Sequence, residues 1–310
     1  MRKAIRTLST FLLAVGLGTY GSVAHAQDVP SDYQQVLKLV GKSGDYKANV
    51  LKVNIPRNDL KVSIDGVATP TPFGFGGWLA LTKGAGGMDV MMGDLVLTED
   101  EVNPVMSALL TNGLDVTALH NHFFFDTPRI YYMHVHGHGS ASDLASKVKP
   151  AIALIGAREP APAATGTSGR AINGTLTSAA LAKVVGYDGE QNGGVYKITI
   201  ARPDIPLKEM GATINARMGL NTWAAFYGSD ADAVVAGDIA MLDREVTPVL
   251  KSLRGSGIDV VAIHQHMTGT DPQVIFLHYW GKGSAQKLAA AFRAAIDQTG
   301  ARPHGTSAQR

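Results

Sequence analysis

The chain has 310 residues, no cysteine, and nearly balanced charge, with 28 basic and 26 acidic side chains. The lack of cysteine excludes disulfides, thiolate metal ligands, cysteine nucleophiles and a lipidated N-terminal cysteine. Apolar residues make up 45% of the chain, which is enough for one large or two ordinary hydrophobic cores.

The first 26 residues have the layout of a secretory signal peptide. A basic start, MRKAIR, precedes the apolar run LSTFLLAVGLGTYGSVA and the small residues AHA at 24–26. A membrane anchor is the alternative, but glycines interrupt the run and no comparable segment follows it. We therefore expect cleavage after Ala26 and a periplasmic or secreted protein that does not associate with the membrane afterwards.

Removal of the signal peptide changes the charge balance. Residues 1–26 contain three basic and no acidic side chains, so 25 basic and 26 acidic residues remain. A nearly neutral chain gives no electrostatic reason to expect nucleic acid as a partner. The partner that we expect is a metal or an unidentified small molecule.

Periodicity predicts helices and strands in a regular order through the first half. Helical spacing is found at 31–41, 98–113 and 140–156, with capping residues at their starts. Alternating or β-prone runs lie between these segments, at 47–55, 60–66, 76–82, 88–97, 114–125 and 129–137. The pattern predicts an α+β fold with mainly antiparallel strands and flanking helices.

The second half repeats the first. At an offset of 144 residues, 24 of 64 positions between 90–153 and 234–297 are identical. Upstream the match is weaker and the offset slips to 145, where Trp78 corresponds to Trp223. We predict two homologous tandem domains at 28–156 and 176–300, an Ala/Pro/Gly-rich linker at 157–175 and a disordered tail at 301–310.

Eight of the ten histidines lie in two corresponding hairpins, 117–139 and 261–283. Side chains two apart on a strand share a face, so His120 and His122 should project together. A register in which paired residue numbers sum to 256 would place His134 opposite His122. An odd sum would place the histidines of the two strands on opposite faces of the hairpin. The hypothesis of a metal site therefore depends on an even sum.

The duplication indicates which titratable residues recur in both copies. Three histidines and a carboxylate are a common ligand set for zinc, and also for iron, manganese or nickel; copper is a further alternative. The predicted ligands are His120, His122, His134 and Glu101 in the first copy, and His264, His266, His278 and Glu245 in the second. Either two separate sites or one composite site between the hairpins satisfies this pattern.

Several of these residues also have a local interpretation. Thr98 and Glu101 have the spacing of a capping box, although the second copy keeps the glutamate without the threonine. Asp94 and its counterpart Asp238 follow glycine, which favours a turn, and the alternative is a role as metal ligands or as residues that support the ligands. Trp78 and Trp223 are interpreted as core residues.

Two alternatives to a plain metal-binding protein remain open. The same residues could form the active site of a metal-dependent enzyme that hydrolyses a substrate or uses oxygen, with Glu101 or Asp94 moving protons. In the other alternative, the aromatic-rich hairpin with Phe123, Phe124 and Phe125 binds a small molecule or a partner without metal.

The motifs GD…E-V-x-P-V, D-V-x-A-x-H-x-H and H-x-x-G-x-G occur in both copies. In this respect the chain resembles the LppY/LpqO family, a bacterial exported group of unknown function named from mycobacterial lipoproteins. The resemblance covers both copies and implies export, but it supplies no catalytic residues. The chain differs from the lipoprotein members in having no cysteine at the cleavage site.

Overall fold

The computed structural model describes residues 28–157 and 169–301. The predicted signal peptide, most of the predicted linker and nearly all of the predicted tail lie outside these ranges. No helix in the described ranges is long and apolar enough to cross a membrane.

Within residues 28–157 the first half contains three α-helices and nine strands, besides two short 3-10 helices. The helices are α1 (Ser31–Val40), α2 (Glu99–Thr111) and α3 (Ala141–Ile152). The strands are β1 (Gly44–Lys47), β2 (Val50–Pro56), β3 (Val62–Ile64), β4 (Val67–Thr69), β5 (Gly76–Lys83), β6 (Asp89–Thr98), β7 (Asp115–His120), β8 (Asp126–Thr127) and β9 (Ile130–Gly139).

The second half repeats this order without a counterpart of β8 in the described residues. Its helices are α4 (Ser178–Val185), α5 (Asp243–Gly255) and α6 (Ala285–Ile296). Its strands are β10 (Glu190–Asn192), β11 (Val195–Ala201), β12 (Lys208–Glu209), β13 (Ala212–Thr213), β14 (Asn221–Gly228), β15 (Ala233–Leu242), β16 (Asp259–His264) and β17 (Val274–Gly283).

Each half is built on a six-stranded antiparallel sheet. The strand orders are β1-β2-β5-β6-β9-β7 and β10-β11-β14-β15-β17-β16. Two smaller sheets, β4-β3-β8 and β12-β13, are formed by the connections. The predicted α+β class, with two tandem units of antiparallel sheet and flanking helices, is confirmed.

The two faces of each sheet have different roles because alternate residues point to opposite sides. On β6, Met91 and Leu95 pack against the three helices of their own half, whereas Met92 and Val96 point the other way. This second face meets the equivalent face of the other half, since Val96 shares a core with Trp280 and Met92 shares one with Phe276. We call these meeting surfaces the inner faces, and the halves therefore form four layers, with helices outside and two sheets inside.

Ion pairs and hydrogen bonds also join the halves. Arg217 pairs with Asp45, and the Nε2 atom of His136 lies 3.1 Å from a carboxylate oxygen of Glu209. The Thr117 hydroxyl donates to the backbone carbonyl of His266 at 2.7 Å. The contact between Thr117 and His266 joins the two hairpins directly.

Candidate metal centre

The polar residues of the inner faces lie on one line across each sheet. In the first half the paired residues run from Asn54 to Trp78, then to Asp94 and His134. The second half places Thr199, Trp223, Asp238 and His278 in the same way. The interpretation of the two aspartates as turn residues is therefore wrong, because each lies in the interior of a ten-residue strand that continues through the preceding glycine.

The hairpin register differs from the one that we expected. His120 pairs with Tyr132 and Ala118 pairs with His134, so the residue numbers sum to 252 and not to 256. The sum is even, so His120 and His134 share a face. The strand ends at His120, and His122 lies in the bend that follows. The assumption that both residues of the His-x-His motif lie on a strand is therefore wrong.

Six histidines from the two hairpins converge between the inner faces. The rings of His120 and His264 stack at 3.8 Å between centroids, and those of His122 and His278 at 3.6 Å. The ring of His134 stacks on that of His266 at 4.0 Å between centroids. This contact is equivalent to the one between His122 and His278, because each joins the second histidine of one His-x-His motif to the strand histidine of the other half. We call these six residues the histidine centre.

Backbone contacts orient two of the six rings. The Nδ1 atoms of His134 and His278 lie 3.3 Å from the carbonyl oxygens of Gly93 and Gly237. A ring that donates through Nδ1 keeps a lone pair on Nε2, which is how proteins hold many histidine ligands. The glycine of each GD motif is needed here, because a methyl group at Gly93 would lie 2.8 Å from the carbonyl oxygen of Trp78.

Aromatic residues fix two further rings. His122 stacks on Tyr132 with 3.3 Å between ring centroids and 2° between planes. In the second half His266 stacks on Phe276 at 3.4 Å and 7°. The rings are therefore held by packing, and few of their nitrogens have polar partners.

Seven ring nitrogens of the histidine centre are buried without a hydrogen-bond partner in the described residues. They are Nδ1 of His120, Nδ1 and Nε2 of His122, Nε2 of His134, Nδ1 and Nε2 of His264, and Nε2 of His266. Buried polar atoms in proteins are nearly always paired, because an unpaired one keeps its full desolvation cost. Each neutral ring carries a lone pair on one of its two nitrogens, so this cluster could hold a metal ion.

The ring nitrogens form three overlapping groups in which three ligand atoms lie within 4.8 Å of one another. The groups are His120/His134/His264, His120/His122/His278 and His264/His266/His278. The third group is the histidine set that the sequence predicted for the second copy. The other two groups each contain histidines from both halves. Any two groups share one histidine, and a neutral imidazole offers one lone pair, so the described geometry supports one ion at a time.

Burial keeps the histidines in the neutral form that binds metal. It lowers the pKa of His264 to about 4, and it lowers the pKa of His122, His134, His266 and His278 well below the usual value. The pKa of His120 is also lowered, first by burial and then by His278, His264 and His134. A neutral imidazole cluster in a poorly solvated site can accept a cation without first losing protons.

The two predicted glutamate ligands are not brought to the histidine centre. Glu101 accepts hydrogen bonds from Arg57 at 2.6 and 3.1 Å, from the backbone nitrogen of Thr98 at 2.8 Å and from that of Gly156 at 2.6 Å. Glu245 has the same surroundings, with Arg202 and the backbone nitrogens of Leu242 and Gly300. In the described residues neither glutamate belongs to a group of three potential metal ligands.

The carboxyl groups near the histidines are those of Asp94 and Asp238. An oxygen of Asp238 lies 3.6 Å from Nε2 of His266. Burial raises the pKa of Asp94 to about 8, and burial followed by the charge of Asp94 raises the pKa of Asp238 well above its usual value. Asp238 contacts the centre and Asp94 occupies the equivalent position beside His134, so a role in supporting the ligands, the less favoured of the two sequence interpretations, fits these positions better than a turn.

A cleft of about 980 Å³ opens between the two halves beside the histidine centre. His122, His266 and His278 contribute to its wall, together with both aspartates. Trp78 and Trp223 also line it, and each carries a lysine over its ring, Lys52 at 4.6 Å and Lys197 at 4.0 Å from the ring centroid. The interpretation of the tryptophans as core residues therefore missed their place in the cleft wall.

Comparison with known proteins places the chain in a family. The sequence model described as Domain of Unknown Function (DUF1259) matches residues 34–154 and 179–298. The chain belongs to this family. Its two matched segments correspond to the two halves of the fold, so each half carries one copy of the domain.

A search of curated proteins gives no match. Among solved structures, the chain is similar to EtuB from Clostridium kluyveri, with 9% identity, a TM-score of 0.20, and coverage of 83% of this chain and 90% of EtuB. A trimeric bacterial microcompartment shell protein, PduB, shows 11% identity, a TM-score of 0.19, and coverage of 81% and 88%.

Proposed function

We propose that this protein binds one transition-metal ion at a composite histidine centre formed by both copies of the domain. The observation that supports the proposal most strongly is the cluster of seven buried, unpaired imidazole nitrogens. Imidazole nitrogen is a good ligand for zinc, iron, nickel and copper, and the lack of cysteine leaves no soft thiolate in the set. Zinc is the metal that we expect first.

The site of action that we propose is outside the cytoplasm. The basis is the basic and apolar N-terminal segment followed by AHA. We further propose that the chain is an LppY/LpqO-type member of its family. The duplicated domain and the recurring D-V-x-A-x-H-x-H motif support this assignment.

Elemental analysis of the mature protein, purified without a histidine tag, tests metal binding directly. We expect about one equivalent of transition metal per chain, held by three imidazoles at a time. Removal by a chelator should lower the melting temperature, because a ligand that binds only the folded state stabilises it. A chain that carries no metal, and whose melting temperature is unchanged by added zinc, nickel or iron, would contradict the proposal.

A second candidate function is metal-dependent catalysis, and the cleft favours it. The histidines that line the cleft would let a substrate approach the ion directly, which a closed structural site does not allow. The cobalt-substituted protein distinguishes the two functions, since its visible spectrum reports the ligands of the metal. Catalysis predicts a spectral change when azide is added, and an unchanged spectrum would indicate a closed centre.

A further inference from the structure

Two lysines occupy equivalent positions in the wall of the cleft. Lys52 on β2 and Lys197 on β11 correspond at the offset of 145 residues, and both side chains are half-buried. Each ammonium group lies over an indole ring, at 4.6 Å from the centroid of Trp78 or 4.0 Å from that of Trp223. An indole face attracts and orients a cation without neutralising its charge.

Neither ammonium group has an anionic partner at close range. Among the described residues, no carboxylate oxygen lies within 4.0 Å of either nitrogen, whereas Lys83 and Lys282 on the surface both have such partners. The two lysines are close enough for the charge of Lys197 to lower the pKa of Lys52, in addition to the effect of burial. Asp94 and Asp238 lie in the same wall but offset this repulsion only in part, because burial raises the pKa of both carboxyl groups, and an anionic ligand would offset the rest.

The rest of the wall suits a polar small molecule. Asn54, Thr199 and Asn221 offer hydrogen-bonding groups, and the cleft volume of about 980 Å³ is at the upper end of the range for small-molecule sites. The buried Asp238 also contributes to this wall. Since the two lysines come from equivalent strands of the two halves, a ligand between them would contact both halves in the same way.

We propose that the cleft binds a small molecule through an oxyanion group, a carboxylate or a phosphate, held between Lys52 and Lys197. The anion neutralises both ammonium groups at once, and the body of the molecule lies between the tryptophans. Because His122, His266 and His278 line the same cleft, the ligand can also reach an ion at the histidine centre. Binding of the anion itself does not require the metal.

Calorimetric titration of the chelator-treated protein with malonate and with inorganic phosphate tests the proposal. We expect saturable binding of at least one probe, and the tighter one indicates whether the group is a carboxylate or a phosphate. Lys52→Met and Lys197→Met should each weaken binding about tenfold, since each removes one charged hydrogen bond but keeps an apolar chain over the indole. The double variant should show about a hundredfold loss.

Two controls separate a lost charge from a damaged fold. Lys287→Met removes an exposed lysine from α6 and should leave binding unchanged. The double variant with arginine at positions 52 and 197 keeps both charges and should bind much more tightly than the double methionine variant. The proposal is overturned if the parent binds neither probe below about 10 mM, or if the double methionine variant binds as tightly as the parent.

The pH dependence of malonate binding gives a second measurement on the same protein. The pKa of Lys52 and that of Lys197 are both lowered to about 8, chiefly by burial. Arg217, Asp45 and Asp94 face the first lysine, and Asp238, Asp94 and Glu190 face the second. Malonate affinity should therefore fall by about tenfold or more from pH 7 to pH 9, as the lysines lose their protons. A flat profile over this range would contradict the assignment.

The metal and anion experiments can fail independently. The anion titration uses metal-free protein, so a chain without metal affinity could still bind malonate through its lysines. Conversely, a protein that contains metal but binds neither malonate nor phosphate would overturn the proposed anion site and would not contradict the proposed histidine centre.

Discussion

Replacing His120 and His264 together with alanine is expected to remove bound transition metal from the protein altogether. Each of the three groups of potential ligands contains at least one of these two residues, so the double variant retains no complete group. Elemental analysis should show a fall from about one equivalent to a small fraction of one. The two rings stack on each other at 3.8 Å, at the point where the hairpins of the two halves meet.

Single substitutions should have a graded effect. His122→Ala removes one group and leaves the other two complete, so the ion should remain but bind more weakly. Because two complete groups of three imidazoles remain to hold the ion, the loss of affinity should be much smaller than in the double variant. His138→Ala is the matched control, because this exposed residue lies on β9 and belongs to no group. Full metal content in the double variant would exclude the proposed centre.

Replacing Glu101 with alanine is expected to cost about 3–5 kcal/mol of folding free energy and to leave metal binding intact. The carboxylate is buried against Arg57 and also accepts two backbone N–H groups, one at the start of α2 and one beyond the end of α3. Among the described residues, its removal leaves a buried guanidinium with Asp59 as its one remaining charged partner. Glu245→Ala should behave in the same way in the second half, where Arg202 retains Asp204.

Urea unfolding followed by circular dichroism measures the loss of stability. Glu99→Ala is the control, because this exposed residue lies in the same first turn of α2 and should change stability by only about 0.5 kcal/mol. Elemental analysis of the same variants gives the second measurement. A Glu101 variant that is as stable as the parent but has lost its metal would show that the sequence-based ligand assignment was correct and that our structural interpretation was not.

The duplication made the six histidines predictable. His120, His122 and His134 recur in the second copy, whereas His136 and His138 are replaced by Trp280 and Lys282. Only the recurring histidines belong to the histidine centre. The choice between two separate sites and one composite site could not be made from the sequence, because it depends on contacts such as that between His120 and His278, which are 158 residues apart.

Other parts of the site were missed for identifiable reasons. Glu245 recurs in the second copy although Leu242 replaces the threonine of the capping box, and this suggested a role in the site. Both glutamates, however, accept a hydrogen bond from the backbone nitrogen of the residue that precedes the helix, and this contact does not depend on the side chain of that residue. Lys52 and Lys197 lie in the weaker part of the repeat, where the offset slips by one residue, so the internal comparison did not single them out. The line of paired residues across each sheet, which brings Trp78 beside Asp94, is a property of strand order and register.

The contacts around His136 and Trp280 show what joining the two copies in one chain makes available. These residues occupy equivalent positions, yet His136 faces Glu209 across the junction and Trp280 packs edge-on against Phe73 and Phe123. Two identical subunits related by true symmetry would have to place the same side chain on both sides of their shared boundary. Because the two copies are parts of one chain, one side of their junction can become ionic and the other aromatic, while the histidine centre keeps its matched imidazoles.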